Sequence, residues 1–178
     1  MSRLMEFYLY DGNTERGYRL EEIWGWSNEK LEGVHDYIQW LFPTDEPSNF
    51  NPDAPLLDRT DMTAFQNIKP LQGNLRRSFA VFLRFLGLTL NDGEIALADN
   101  FEDRKWIFEC VNHIWLRITR VLRCLRLLGL HQEAAAFFAF LKVLHTDHHL
   151  VSPDTMRYWE EAANVPLGGK PCLESTLS

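Results

Sequence analysis

Three stretches of this chain repeat apolar side chains every three to four residues, and that spacing decides most of what the chain can become. Leu71, Leu75, Phe79, Phe82, Leu83 and Leu86 form the first, closing at Gly87. Ile114, Ile118, Val121, Leu122, Leu125 and Leu128 form the second, before Gly129, and Ala134, Phe137, Phe138, Leu141 and Leu144 form the third. At 100° per residue each set falls on one side of an α-helix. A helix with one apolar side is stable only when that side is covered, so three of them predict a bundle that covers itself. The length, 178 residues, suits one domain, and the 46% hydrophobic content can fill one core, which excludes collagen-like and wholly disordered classes. The most apolar run, Ala134 to Leu141, stops at Lys142, far short of the ~20 residues that a membrane-crossing helix requires.

Weaker signals place the remaining elements. Leu20 to Trp26 reads as a short helix and Leu31 to Phe42 as a longer one, because Leu31, Val34, Ile38, Leu41 and Phe42 share a side. Tyr37 and Trp40 face the other way, so this helix is expected to be covered on both sides and to sit centrally. Pro43 ends it. Pro43, Pro47, Pro52 and Pro55, with Ser48, Asn49 and Asn51 among them, block helix and strand and predict an ordered, irregular loop pinned to the core by Phe50. A short helix is expected from Asp61 to Gln66 with Thr60 as N-cap. Leu88 to Leu90 and Glu94 to Leu97 flank Asn91-Asp92-Gly93, the pattern of a β-hairpin. Asp99 or Asn100 is expected to cap a helix running to Cys110, Asn112 to open the striped helix ending at Leu128, and Ser152 with Pro153 to open a last helix from Asp154 to Ala163. The expected fold class is all-α: a mostly helical single-domain bundle over residues 1–166 with one small β-hairpin, then a flexible tail over 167–178.

Charge narrows the functional classes. The formal net charge of −7 disfavours attraction to nucleic acid or to an anionic membrane. Residues 1–75 carry 6 basic and 13 acidic side chains, whereas residues 76–126 carry 9 and 6, so the middle of an acidic chain is locally basic. Cys110, Cys124 and Cys172 are an odd number without C-x-x-C spacing, which argues against a disulfide framework or a structural zinc and for a reducing, cytoplasmic setting. The first twelve residues carry Glu6 and Asp11 and do not read as a signal peptide. Walker, H-E-x-x-H, G-x-S-x-G and dinucleotide-binding patterns are absent, and no cofactor is expected.

Two blocks carry a family likeness. Leu31-Glu32-Gly33-Val34-His35-Asp36-Tyr37-Ile38-Gln39-Trp40-Leu41-Phe42-Pro43, continued by Glu46-Pro47-Ser48-Asn49-Phe50-Asn51-Pro52, resembles the opioid growth factor receptor conserved region. Asn112-His113-Ile114-Trp115-Leu116-Arg117-Ile118-Thr119-Arg120-Val121-Leu122 is similar to a second block of that family, with Trp115 where another aromatic is usual. The resemblance spans about residues 5–145. It implies receptor-like binding of a ligand or partner and, in the family, association with membranes.

Arg117, Arg120, Arg123 and Arg126 step by three, so their guanidinium groups spiral from the border of the apolar stripe toward its far side. Arg117 and Arg120, with His113 one turn earlier, are candidates for a small anion site of forked donors, with Arg76, Arg77 and Arg84 to complete it. Equally, these arginines can pair with the acidic N-terminal third and join helix to helix. His35 and Gln39 lie one helical turn apart beside the proline loop, where they can satisfy its backbone or face a ligand. The full set of ligand-binding candidates is His113, Arg117, Arg120, Arg76, Asn112, His35, Gln39, Trp40 and Asn51. The His35-Asp36 pair lacks the further ligands that a metal-phosphohydrolase site needs. His145, Asp147, His148 and His149 gather at a helix end, where imidazoles complement the dipole, and no metal site is expected. The reading is a non-enzymatic helical binding module for a peptide, a protein or an anionic small molecule. Its alternatives are a small enzyme acting on a phosphate-bearing substrate through His113, and a structural or self-associating domain.

Overall fold

The computed structural model describes residues 1–48, 51–146 and 151–166. Eleven helices and one two-stranded sheet follow one another among the described residues, confirming the mostly-α class. The order is α1 (Arg3–Tyr8), α2 (Leu20–Trp24), α3 (Asn28–Gly33), α4 (Tyr37–Leu41), α5 (Arg59–Asn67), α6 (Lys69–Leu86), β1 (Leu88–Asn91), β2 (Glu94–Leu97), α7 (Phe101–Arg104), α8 (Trp106–Glu109), α9 (His113–Leu127), α10 (His131–Thr146) and α11 (Pro153–Ala163). The three striped segments become α6, α9 and α10, and their stripes are buried except Phe138, which is half-buried. Helix α9 packs against α10 and α11, while α6 meets α1, α2, α5 and β1.

Local chemistry explains the ends. Gly87 closes α6 at φ 78°, a left-handed conformation that suits glycine. The hairpin pairs Leu88 with Leu97 and Asn91 with Glu94, and its turn residues Asp92 and Gly93 both have positive φ, as a two-residue primed turn requires. Asn112 accepts a hydrogen bond from Ile114 N at 2.9 Å and caps α9, and Ser152 does the same for α11 from Thr155 N.

Several expectations are corrected. The segment Leu31 to Phe42 is two helices, because Gly33 weakens the last turn of α3 and the β-branched Val34 turns extended at φ −95° and ψ 127°. Its double coverage holds nonetheless: Tyr37, Ile38, Gln39, Trp40 and Leu41 are all buried. Helix α5 starts two residues before Asp61, because Asp58 rather than Thr60 caps it, accepting from Asp61 N at 2.7 Å. The stretch after Asn100 forms two single turns, α7 and α8, and Asn100 donates instead to the Arg84 carbonyl at the end of α6. Helix α1 was not expected; Leu4, Phe7 and Tyr8 bury its one face, with Phe7 against Trp40 at 5.2 Å and Tyr8 against Phe65 at 4.9 Å. The proposed Phe50 anchor and the 167–178 tail lie outside the described residues. Thr44 and Leu56 form a bridge that ties the two ends of the proline loop together.

Candidate functional site

The break between α3 and α4 leaves backbone carbonyls without helical partners, and α9 supplies the group that takes them. Arg117, only 5% exposed, donates to the carbonyls of Leu31 at 2.7 Å, Glu32 at 3.2 Å and Val34 at 3.3 Å, to His35 Nδ1 at 3.1 Å and to the Tyr37 hydroxyl at 3.4 Å. A guanidinium is always a donor, so His35 Nδ1 accepts and its proton sits on Nε2. Burial lowers the Arg117 pKa from its ordinary value, while burial pushes the Tyr37 hydroxyl up to about 12 against the pull of Arg117.

One turn on, Arg120 is half-buried and commits one nitrogen: Nη1 reaches the Phe42 carbonyl and Thr44 Oγ1, both at 3.3 Å. Its Nη2 and Nε make no hydrogen bond among the described residues. Arg123 is paired with Asp45 at 2.8 Å and Glu46 at 2.9 Å. Thus three successive arginines of α9 fasten the α3–α4 break and the start of the proline loop, with backbone carbonyls as the partners of the first two and carboxylates as those of the third.

Between α9, α4 and that loop lies a cavity of about 450 Å³ lined by His35, Ile38, Gln39, Thr44, Glu46, Pro47, Ser48, His113, Leu116, Thr119 and the three arginines. Its size is that of a small-molecule site. His35 and His113 stand at the rim with rings edge to face, 5.4 Å between centroids. Partial desolvation, then the Arg117 charge and His35, hold the His113 imidazole below its ordinary pKa. Gln39 is 6% exposed, and its Oε1 has no hydrogen-bond partner. Leu116, 60% exposed, forms an apolar lip.

Of the nine candidates, the fold brings five together here: His35, Gln39, His113, Arg117 and Arg120. The other four stand elsewhere. Arg76 pairs with Glu133 at 2.7 Å on another face, and its neighbours are likewise engaged: Arg77 lies over the Trp24 ring and Arg84 donates to the Trp26 carbonyl. Asn112 is a helix cap, and its amide nitrogen donates to the Ile107 and Cys110 carbonyls. Trp40 is fully buried, with Nε1 donating to Glu15 at 2.6 Å. Asn51 Oδ1 accepts from Asp53 N at 3.3 Å, a turn inside the loop. Thr44, Glu46 and Leu116 line the cavity without having been singled out in sequence; they arrive through the loop's path and the outer face of α9. No group of three or more metal-binding side chains occurs among the described residues, and Asp147, His148 and His149 lie outside them. No helix among those residues is long and apolar enough to cross a membrane.

Comparison with known proteins accounts for the blocks that build this site. The family model described as opioid growth factor receptor conserved region matches residues 5–165. The opioid growth factor receptor of Mus musculus is 36% identical over 143 residues, covering 76% of this chain and 22% of that receptor. The human receptor is 35% identical over 130 residues, covering 70% and 19%. Opioid growth factor receptor-like protein 1 of Xenopus tropicalis is 36% identical over 118 residues, covering 64% and 23%. The chain therefore spans about a fifth to a quarter of the length of these relatives. No solved structure matches it.

Proposed function

Because this chain belongs to the family of the opioid growth factor receptor conserved region, we propose that it is a non-enzymatic binding module whose recognition site is the cavity between α9, α4 and the proline loop, and that its guest is anionic. Relatives are named as receptors, and receptor-like binding needs a concave, partly polar site. The observation that carries the reading is the state of Arg120: it lies on the wall of a cavity of about 450 Å³ with the donors of Nη2 and Nε uncommitted among the described residues. A guanidinium edge of that kind forms charge-assisted, two-point bonds with an oxyanion. Arg117 contributes its positive charge to the same wall but holds the wall in place, since each terminal nitrogen is occupied.

The enzymatic alternative requires His113 as acid or base together with two guanidinium groups free to steady developing charge. With Arg117 engaged by backbone carbonyls, only one of the two remains, which supports binding over catalysis. The test is a titration of the isotope-labelled chain with sodium benzoate, against sodium chloride at the same ionic strength, followed by NMR. Saturable shifts confined to the Arg120 side chain, the Gln39 amide and residues 44–48, and lost in an Arg120→Ala variant that keeps its folded spectrum, are expected. Shifts centred elsewhere, or shifts that persist in Arg120→Ala, overturn the reading.

A further inference from the structure

The cavity offers one committed positive wall, one uncommitted guanidinium edge and one buried amide with nothing to bind. These three facts bear on what kind of anion fits. Arg117 has both terminal nitrogens bonded and Arg123 has Nε and Nη2 on carboxylates, so among the described residues Arg120 is the arginine of this cavity whose whole Nε–Nη2 edge makes no hydrogen bond. Glu46, the partner of Arg123, is itself on the cavity wall and repels a second negative charge. Desolvation and the Arg117 charge lower the His113 pKa, so its surroundings disfavour a second cation at this wall. The desolvation penalty of an ion rises steeply with its charge, and a doubly charged phosphate ester needs more donors than one guanidinium edge provides. A carboxylate has two oxygens and one charge, which that edge matches.

Gln39 adds a second requirement. Its carboxamide is buried in the wall with Oε1 unpaired, and a buried polar atom of this kind is normally satisfied. Oε1 itself is sealed from solvent, so a guest meets the other end of the amide, which is a donor in this orientation and an acceptor in the flipped one. Ile38 and the Leu116 lip supply apolar surface beside it.

We infer that the guest of this cavity is a small, singly charged carboxylic acid carrying an amide or hydroxyl next to an apolar body, with the carboxylate on Arg120, the polar group on Gln39 and the apolar part against Ile38 and Leu116. This rests on the binding-module reading above and adds the chemical class. Three probes that share a phenyl ring separate its parts: hippurate, which has carboxylate, amide and ring; 4-phenylbutyrate, the same length without the amide; and phenyl phosphate, shorter and doubly charged above neutral pH. Each is titrated into the full chain at pH 7.5 and fixed ionic strength, with NMR shifts as readout. Hippurate is expected to bind about three- to tenfold more tightly than 4-phenylbutyrate, the worth of a neutral hydrogen-bond pair, and at least tenfold more tightly than phenyl phosphate. Gln39→Leu is expected to reduce hippurate to the affinity of 4-phenylbutyrate while leaving the latter unchanged, with Gln39→Met as the substitute if the leucine variant does not fold. Phenyl phosphate binding as well as hippurate, or hippurate no better than 4-phenylbutyrate, overturns the assigned class and leaves the binding module standing. If none of the three moves the cavity resonances while the fold is intact, both fall.

Discussion

Replacing Arg117 by alanine is expected to destabilise the protein far more than replacing Arg120, although the two sit one turn apart on α9 and line the same cavity. Arg117 makes five polar contacts, the shortest at 2.7 Å to the carbonyl of the buried Leu31. Hydrogen bonds to a charged group contribute about 1.5–3 kcal/mol each, and a buried acceptor left empty costs about 1–3 kcal/mol. The remaining contacts are longer and, apart from the buried one to Tyr37, only partly buried, so water can replace the arginine there, and removing a buried charge returns some desolvation energy. The balance is a loss of about 3 kcal/mol, which for a domain of this size lowers Tm by roughly 6–12 °C. Arg120 has two bonds, both at 3.3 Å, so its alanine variant should lose less than about 1.5 kcal/mol. Urea unfolding followed by tryptophan fluorescence measures both, with an unchanged m-value confirming that the same surface is exposed. Arg117→Lys should recover less than half of the loss, because an ammonium lacks the planar fork that spans several carbonyls. Hydrogen exchange at residues 34–37 should accelerate in Arg117→Ala, since the fastening of the α3–α4 break is gone. A loss below about 1 kcal/mol for Arg117→Ala, or equal losses for the two variants, would refute the division of labour between them.

Two further outcomes follow from other parts of the fold. Gly87→Ala should cost about 2 kcal/mol or more and lower Tm by roughly 4–8 °C, because φ is +78° and a Cβ there would stand 2.8 Å from the Phe101 Cα. Gly73→Ala, inside α6 with nothing within 4 Å of the new atom, should instead stabilise by about 0.5–1 kcal/mol in the same thermal scan. The pH dependence has a defined sign. His113 and His131 both have lowered pKa values, His131 through burial and then Arg126, so below their ordinary value near 6.5 the unfolded chain binds more protons than the native one. Stability should therefore be full above about pH 7 and decline as pH falls through 6.5 toward the lower native pKa values; the urea midpoint of His113→Gln/His131→Gln should fall less over pH 7 to 5.

The all-α class, the presence of the hairpin and the identities of the three buried stripes were legible in sequence, because each depends on periodicity, a turn signal or a terminal glycine within a few residues; the register was not, since Asn91, read as part of the turn, pairs with Glu94 as the last residue of β1. Part of the cavity lining was legible as well: His113, Arg117 and Arg120 share a face of α9 by spacing alone, and His35 and Gln39 sit beside the proline loop. Periodicity continued a helix through Gly33 to Asp36, and it assigned no helix to Arg3–Tyr8, whose few apolar residues gain stability only from Trp40 and Phe65.

What the order of residues decided alone was which segments are helical, which side of each is apolar and which cations lie on one edge. Only the packed chain decided that Arg117 is a fastener and Arg120 has donors to offer, and that Arg76 faces Glu133 on another surface. The reason is physical. A guanidinium takes whichever acceptors lie within about 3 Å, and the carbonyls of Leu31, Glu32 and Val34 stand 83 to 86 positions away along the chain from the arginine that binds them. No local pattern carries that distance; it is set when the helices close on their common core.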